Sequence, residues 1–287
     1  MQLRQLITNF TDVFAAAGIE SARADAEILV AETLGFSRGE IAVFEITGRE
    51  LSADEVTKLQ ALADRRAARE PLQHLTGRGY FRNLTLQVGK GVFVPRPETE
   101  LIAQLAIDAL NGAADESPIA VDLCTGSGAI ALAMATEVPK ASVHAVELSE
   151  DAIFWASKNF ETYVAQGAKA KLVQGDLATA FPELNGQVTV LATNPPYIPS
   201  AMVPIYPEVH LHDPALALYS GEDGLDAIRG TSQTGMRLLK AGGFFVVEHA
   251  DIQSESVVEL LTADGWLNAT AHQDLNGRNR AVSAIRP

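Results

Sequence analysis

Near the middle of the chain an apolar run ends abruptly in Asn194-Pro195-Pro196-Tyr197. Proline has no N–H and a fixed φ, so a paired strand cannot continue past Asn194. The two prolines stiffen the turn and leave carbonyls without neighbouring donors. A rigid, acceptor-rich turn beside an aromatic ring suits a planar group that carries N–H donors. Taken alone, Pro-Pro also serves as a plain strand terminator with a packed Tyr.

A second cluster lies upstream. Asp122-Leu123-Cys124-Thr125-Gly126-Ser127-Gly128-Ala129 follows an apolar segment and opens a helical pattern. In a doubly wound sheet, glycines at this point let a cofactor approach the backbone. Glu147 ends the next apolar segment, where a carboxylate can take both hydroxyls of a ribose. Asp176 ends the one after, where it can accept from an adenine amino group. Gly126-x-Gly128-x-x-Ala131 also fits the loose dinucleotide fingerprint. Asp122 before the glycines and Asn194–Tyr197 after the fourth segment weigh against a pyrophosphate ligand. They favour S-adenosylmethionine, whose sulfonium and amino group suit acidic and backbone acceptors.

The elements that must position these residues alternate along the chain. Apolar segments at 119–124, 142–148, 170–174, 188–193 and 243–249 predict strands, and helical patterns at 98–111, 128–137, 150–166, 224–240 and 252–263 separate or follow them. Apolar strands alternating with helices predict a parallel sheet covered on both faces. Two further strands, around 267–272 and 280–285, flank Asp274-Leu275-Asn276-Gly277, a hairpin signal that adds one antiparallel strand. Residues 1–72 read as helices only, with Leu3, Leu6, Ile7, Phe10, Val13 and Phe14 at helical spacing and a capping-box signature at Ser52 and Glu55. Short β-like runs between Leu75 and Val94 predict a hairpin linking two domains. The basic run Arg65-Arg66-Ala67-Ala68-Arg69 is read as a solvated helix face.

The bulk properties narrow the function classes. The chain has 287 residues and a formal charge of −14, which argues against generic phosphate-backbone binding. Nothing in it spans a membrane, and the first residues form an amphipathic pattern rather than a signal peptide. A single cysteine, Cys124, excludes an internal disulfide and suits a reducing cytoplasm. His210-Leu211-His212-Asp213 reads as loop polar groups, and no metal is expected.

Together, residues 121–128, 145–148, 175–176 and 194–197 resemble class I S-adenosylmethionine-dependent methyltransferases, specifically those that modify a planar nitrogen. Val94-Pro95-Arg96-Pro97-Glu98-Thr99-Glu100, the stretch 71–81, Gly221-Glu222-Asp223-Gly224-Leu225 and residues 274–278 resemble the HemK/PrmC family over essentially the full length. That resemblance implies a Rossmann-like methyltransferase sheet with a small N-terminal helical domain. It divides the chain into residues 1–72, docking substrate; 73–94, a hairpin linker; and 95–287, the methyltransferase domain. It implies protein-(glutamine-N5) methylation of the Gly-Gly-Gln loop of class I peptide-chain release factors, with S-adenosyl-L-homocysteine as the product. It also implies a cytoplasmic monomer without direct nucleic-acid contact, and places residues 94–100 near the active-site mouth.

Asp122, Cys124, Thr125, Gly126, Ser127, Gly128, Glu147, Asp176, Leu177 and Asn194 would bind the cofactor. Asn194, Pro195, Pro196 and Tyr197 would bind substrate and catalyse, the Asn194 oxygen and Pro195 carbonyl accepting the amide N–H bonds and Tyr197 covering the amide plane. Cys124 stands where the family usually has Gly and is expected to be a small buried residue. Leu177 stands where an aromatic is frequent. A nucleic-acid base or a ribosomal-protein glutamine are alternative acceptors of the same chemistry, and a non-catalytic scaffold is an alternative of another kind.

Overall fold

The computed structural model describes all residues, Met1–Pro287. The chain divides into two units. One comprises Met1–Arg78 with Pro204–His212, the other Gly79–Val203 with Asp213–Pro287.

The first unit contains α1 (Leu3–Ala16), α2 (Ala22–Leu34), α3 (Arg38–Thr47), α4 (Ala53–Ala67) and α5 (Leu72–Thr76). Leu3, Leu6, Ile7, Phe10 and Phe14 of α1 are buried together with Leu29, Val30, Ile41 and Leu59 from its neighbours. Val13, which shares the helical spacing, instead faces solvent. Both halves of the capping box at the start of α4 form: Ser52 Oγ accepts from Glu55 N at 3.2 Å, and Ser52 N donates to Glu55 at 2.8 Å. Each such cap contributes about 1 kcal/mol.

The basic run at the end of α4 is not a solvated face. Arg66 is buried, its Nε 2.8 Å from Asp25 Oδ2 and its Nη1 3.0 Å from Glu208 Oε1. Arg69 Nη2 reaches Glu208 at 2.6 Å, and its Nη1 donates to the carbonyls of Ala17 and Gly18. Only Arg65 stays largely solvated, paired with Glu70.

A short hairpin, β1 (Arg78–Phe81) and β2 (Leu84–Gln87), forms a separate two-stranded sheet. The end of the stretch read as β-like, residues 91–94, is not a strand. The glycines before it have another purpose. A Cβ on Gly89 would lie 2.3 Å from the Trp155 ring, and one on Gly91 2.6 Å from Asp151. Only glycine lets the backbone pass this close to the helix carrying those residues.

The second unit continues with α6 (Glu100–Gly112), β3 (Ile119–Leu123), α7 (Ala129–Glu137), β4 (Ser142–Glu147), α8 (Glu150–Ala165), β5 (Ala170–Gln174) and β6 (Val188–Thr193). It closes with α10 (Ala215–Leu218), α11 (Asp226–Leu238), β7 (Leu239–Glu248), α12 (Ser254–Ala263), β8 (Leu267–Gln273) and β9 (Asn279–Ile285); the short α9 (Pro207–His212) belongs to the first unit. The strands form one sheet in the order β5-β4-β3-β6-β7-β9-β8. Pairing from β5 to β7 is parallel, and β9 runs antiparallel to both its neighbours, so one strand is reversed as expected.

Successive residues of a strand point to opposite faces, and the core follows that rule. Ala120, Val190, Ala192 and Val246 enter one hydrophobic cluster, while Val121, Leu123, Leu191, Phe245 and Val247 enter the other. Residues Ala129–Ala135 of α7 are all buried, which is why that helix is apolar on every side. β5, at the sheet edge, has no fully buried residue.

Candidate active site

The order β4-β3-β6 places β3 between a strand that follows it and one that comes later, so the chain direction across the sheet reverses there. Such a switch point opens a crevice at the carboxyl ends of the strands. Leu123 at the end of β3 pairs with Val146 and Thr193, and Glu147 pairs with Gln174. This register brings the ends of β3, β4, β5 and β6 to one edge of the sheet. Thr193 Oγ1 donates to the Leu123 carbonyl at 2.6 Å and locks two of them together.

The loop after β3 turns sharply. Cys124, Gly126 and Gly128 all have positive φ, of 60°, 57° and 92°. For Cys124 this is the left-handed region, where a residue with a Cβ pays about 1 kcal/mol. The thiol is half-buried rather than fully buried as expected. Burial, with Glu147 and Asp122 nearby, pushes its ionisation far upward and leaves it an unreactive thiol. A Cβ on Gly126 would meet nothing within 4 Å, so the space in front of it is open, whereas Gly128 is pressed against Phe160 at 2.8 Å. The two glycines therefore differ in purpose: one faces a ligand space and the other packs.

Asp122 is buried, with Oδ2 accepting from Thr125 Oγ1 at 2.6 Å and from Ala131 N at 3.1 Å. Its Oδ1 is buried without a partner. Glu147 accepts from Gly126 N at 2.8 Å through Oε2 and from Ser149 N at 2.9 Å through Oε1. Each of its oxygens keeps a lone pair for a further donor. Burial raises its pKa. Asp176 is exposed and uses Oδ1 for Ala178 N, and Leu177 beside it packs on the core. Asn159, which the sequence did not single out, ties the loop down: its Nδ2 donates to Ser127 O at 2.9 Å and to Gln87 O at 3.0 Å. An orphaned carboxylate oxygen, spare acceptors on Glu147 and open space at Gly126 fit a ligand with an ammonium group and vicinal hydroxyls.

At the end of β6, Asn194 Nδ2 donates to Thr99 Oγ1 at 3.2 Å, which turns Oδ1 the other way. Pro195 is buried, Pro196 and Tyr197 half-buried, and the Pro195 carbonyl accepts from no backbone donor. Tyr197 Oη donates to Glu248 Oε1 at 3.1 Å, and the Tyr197 carbonyl accepts from Gln253 Nε2 at 2.9 Å. The turn is then braced by residues 218–224. Ile198 N donates to Leu218 O, Ser220 N to Ile198 O and Ser200 N to Gly221 O. Gly224, at φ 79°, approaches so closely that a Cβ would lie 2.3 Å from the Tyr197 carbonyl oxygen. That contact explains the glycine at 224.

The segment before α6 is anchored as well. Pro97 opens a 3-10 turn, and Arg96 Nη2 reaches Asp213 Oδ2 at 2.8 Å. Burial raises Asp213 to about 6 despite Arg96. Asp213 thus pairs with an arginine. Asn159, Glu248 and Gln253 join the site through partners far away in sequence, and no local pattern marked them; Thr99, inside the marked segment 94–100, joins it through Asn194.

Burial raises both Asp122 and Glu248 to about 7. A carboxyl whose folded pKa exceeds its unfolded one binds more protons folded, so its contribution to stability is full below the ordinary carboxylate range and is lost as pH rises through about 7. His144, His249 and His272, all lowered by burial or partial burial, work in the opposite direction below about 6.5. Glu248→Gln removes one titrating carboxyl and leaves the histidines. Its melting temperature is expected to fall less than the parent's between pH 6 and pH 8; equal slopes would refute the raised ionisation.

The family profile described as PrmC N-terminal domain matches residues 5–77, and the one described as Methyltransferase small domain matches residues 83–203. A release factor glutamine methyltransferase of Streptomyces coelicolor is 51% identical over 97% of this chain and 96% of that one. One of Bifidobacterium longum is 39% identical over 99% and 100%. A 4-amino-L-phenylalanine/4-methylamino-L-phenylalanine methyltransferase of Streptomyces pristinaespiralis is also 39% identical, over 99% and 95%.

Proposed function

The chain belongs to the release factor glutamine methyltransferase family, and we propose that it methylates the side-chain amide nitrogen of the Gly-Gly-Gln glutamine in class I peptide-chain release factors. The observation that carries this reading is the end-to-end match at 51% identity. The acceptor turn at Asn194 supplies the chemistry it requires. S-adenosylmethionine supplies an electrophilic methyl group on a cationic sulfur.

An amide nitrogen is a poor nucleophile because its lone pair is delocalised into the carbonyl. Asn194 Oδ1 and the Pro195 carbonyl accept its two N–H bonds, fix its direction and favour a more tetrahedral nitrogen. The Tyr197 ring bounds the amide plane while Glu248 holds its hydroxyl. The nitrogen gains one methyl carbon, the sulfur keeps the bonding pair, and the nitrogen then sheds one proton. No strong base is required, because a methylated, cationic nitrogen is acidic.

Asp122, through its orphan oxygen, serves the donor's amino end, and Glu147 serves the ribose hydroxyls. Asp176 and Leu177 bound the adenine, and Cys124, Thr125, Gly126, Ser127 and Gly128 form the backbone cradle. Residues 1–72 dock the release factor, 73–94 link the two parts, and 95–287 carry the chemistry. No helix is long and apolar enough to cross a membrane. The acidic charge argues against a nucleic-acid substrate, and the enzyme works as a monomer in the cytoplasm on translation termination.

The 4-amino-L-phenylalanine relative marks a second reading, since an arylamine is also a planar nitrogen. Purified protein with labelled S-adenosylmethionine is to be offered class I release factor, its Gly-Gly-Gln→Gly-Gly-Ala variant, 4-amino-L-phenylalanine, ribosomes, DNA and RNA. Label is expected on release factor alone and lost with the glutamine. Label on 4-amino-L-phenylalanine and none on release factor would replace the reading.

Glu147→Ala is expected to weaken S-adenosylmethionine at least about tenfold, removing hydrogen bonds to a charged acceptor. The ligand-induced rise in melting temperature then shrinks accordingly. An unchanged shift would remove Glu147 from the cofactor site.

A further inference from the structure

The turn after β6 is rich in acceptors and poor in donors. Pro195, Pro196 and Pro199 have no N–H. The N–H groups of Ile198 and Ser200 are taken by the Leu218 and Gly221 carbonyls, and the Tyr197 hydroxyl by Glu248. The substrate proposed above has the complementary need. Glycines carry no side chain, so a Gly-Gly-Gln loop offers only main-chain groups beside its glutamine. A carbonyl removed from water without a donor weakens binding.

Arg96 stands where donors are missing. Its carbonyl accepts from Thr99 N at 3.2 Å, and Thr99 Oγ1 holds Asn194 Nδ2, also at 3.2 Å. Its Nη2 donates at 2.8 Å to Asp213, which leads into the stretch whose Leu218 carbonyl takes Ile198 N at 2.8 Å. One side chain ties together the two segments that hold the Asn194–Tyr197 turn. The guanidinium is fixed in place: the Asp213 side chain is fully buried, and the Phe93 ring lies 5.1 Å from Arg96 Cζ. Yet Arg96 keeps 29% of its side chain exposed, and its Nε and Nη1 bond to no protein group. An arginine needed only to neutralise Asp213 could set both arms of its fork on that carboxylate. Here Asp213 Oδ1 has no partner, and the other arms of the fork stay within reach of solvent.

We propose that Arg96 is a specificity-determining residue that donates, through Nε and Nη1, to a main-chain carbonyl of the glycines beside the target glutamine, with Asp213 and Phe93 holding its plane. This subsite rests on the reading of release factor as the substrate. The site then has two halves of opposite polarity. Asn194 Oδ1 and the Pro195 carbonyl accept from the side-chain amide, and Arg96 donates to the main chain that carries it. Donation to the target amide's own carbonyl would strengthen its conjugation and make the nitrogen less nucleophilic, so the donor belongs on the flanking residues.

Arg96→Met keeps an unbranched stem beside Phe93 and removes the donors. Arg96→Lys keeps a charge for Asp213 but loses the planar fork, and Asp213→Asn keeps an acceptor for Arg96. In Arg96→Met, KM for release factor is expected to rise at least about tenfold, with kcat within about threefold and S-adenosylmethionine affinity within about twofold. Arg96→Lys should still raise KM at least about threefold, and Asp213→Asn less than that. If the pair with Asp213 were the whole role of Arg96, the Lys variant would match the parent and Asp213→Asn would match Arg96→Met.

A second readout does not depend on turnover. The Arg96 Nε–H, followed by ¹⁵N-edited NMR, is expected to exchange fast in the free protein and to slow when release factor and S-adenosyl-L-homocysteine are added. Parental KM in Arg96→Met, or exchange that release factor leaves unchanged, overturns the subsite. A loss of about tenfold in S-adenosylmethionine affinity with KM for release factor unmoved would assign Arg96 to the donor's carboxylate and overturn it too. If Arg96→Met does not fold, Arg96→Lys carries the test, and parental KM there overturns the proposal. A parent that methylates no release factor overturns the substrate reading, and the subsite with it.

Discussion

Asn194→Ala will lose methyl transfer by at least about 10²-fold while keeping its fold, since removing one preorganised polar group of this kind costs about 3 kcal/mol at the transition state. The bond from the substrate amide to Oδ1 strengthens as the nitrogen loses conjugation, so it favours the transition state over the bound substrate. Interactions of that kind appear in kcat rather than in KM. The fold should survive because Asn194 makes one side-chain bond, to Thr99, and lies beyond the last residue of β6. A modest loss of S-adenosylmethionine affinity is compatible with its place beside the cofactor loop. Asn194→Asp keeps an acceptor but puts a charged oxygen against Thr99 where an NH₂ stood. It should retain more activity than Ala and less than the parent. Single-turnover methylation of release factor, with circular dichroism as the control for folding, measures both. An Ala variant within about threefold of the parent would remove Asn194 from the mechanism while leaving the family assignment in place.

What the sequence disclosed of this site, it disclosed through local pattern. Asp122, the glycines at 126 and 128, Glu147, Asp176 and Asn194 each end or follow an apolar run, and the sheet brings the ends of parallel strands to one edge whatever the details of packing. The alternation of strand and helix was readable because buried parallel strands are apolar on both faces, and the reversed strand because Asn276-Gly277 forces a tight turn. Three kinds of information were not local. Asn194 meets Thr99 95 residues away, and Tyr197 meets Glu248 51 residues away, so no spacing rule connects them. Gly89 and Gly91 resembled turn residues but serve close approach to Trp155 and Asp151, which only coordinates reveal. The third was the arginine run of α4. A charged helix end is ordinarily solvated, and nothing around Arg66 in sequence announces Asp25 or Glu208.

That buried arginine gives the largest expected effect on stability. Arg66 is 5% exposed, and its two carboxylate partners come from α2 and from the segment Pro204–His212. Its Nη1 also donates to the Glu70 carbonyl at 3.0 Å. Glu208 keeps Arg69 if Arg66 is lost, but Asp25 keeps only the Ser21 hydroxyl, at 2.7 Å. Arg66→Met preserves much of the packed stem and strands that buried carboxylate. Breaking a buried pair from one side costs about 3–5 kcal/mol. A loss of that size is a large fraction of the total stability of a small helical unit. Urea unfolding of the full chain should show it as an earlier transition, with a later one belonging to the sheet. Arg66→Met combined with Asp25→Asn should recover more than half of the loss, because the charge is gone and the bond to Ser21 can remain. If the first unit docks the release factor, Arg66→Met should raise KM for that substrate near the new transition while S-adenosylmethionine affinity holds. Equal loss of both would show that the units unfold together. An Arg66→Met protein within about 1 kcal/mol of the parent would mean that the arginine is as solvated as its sequence suggests.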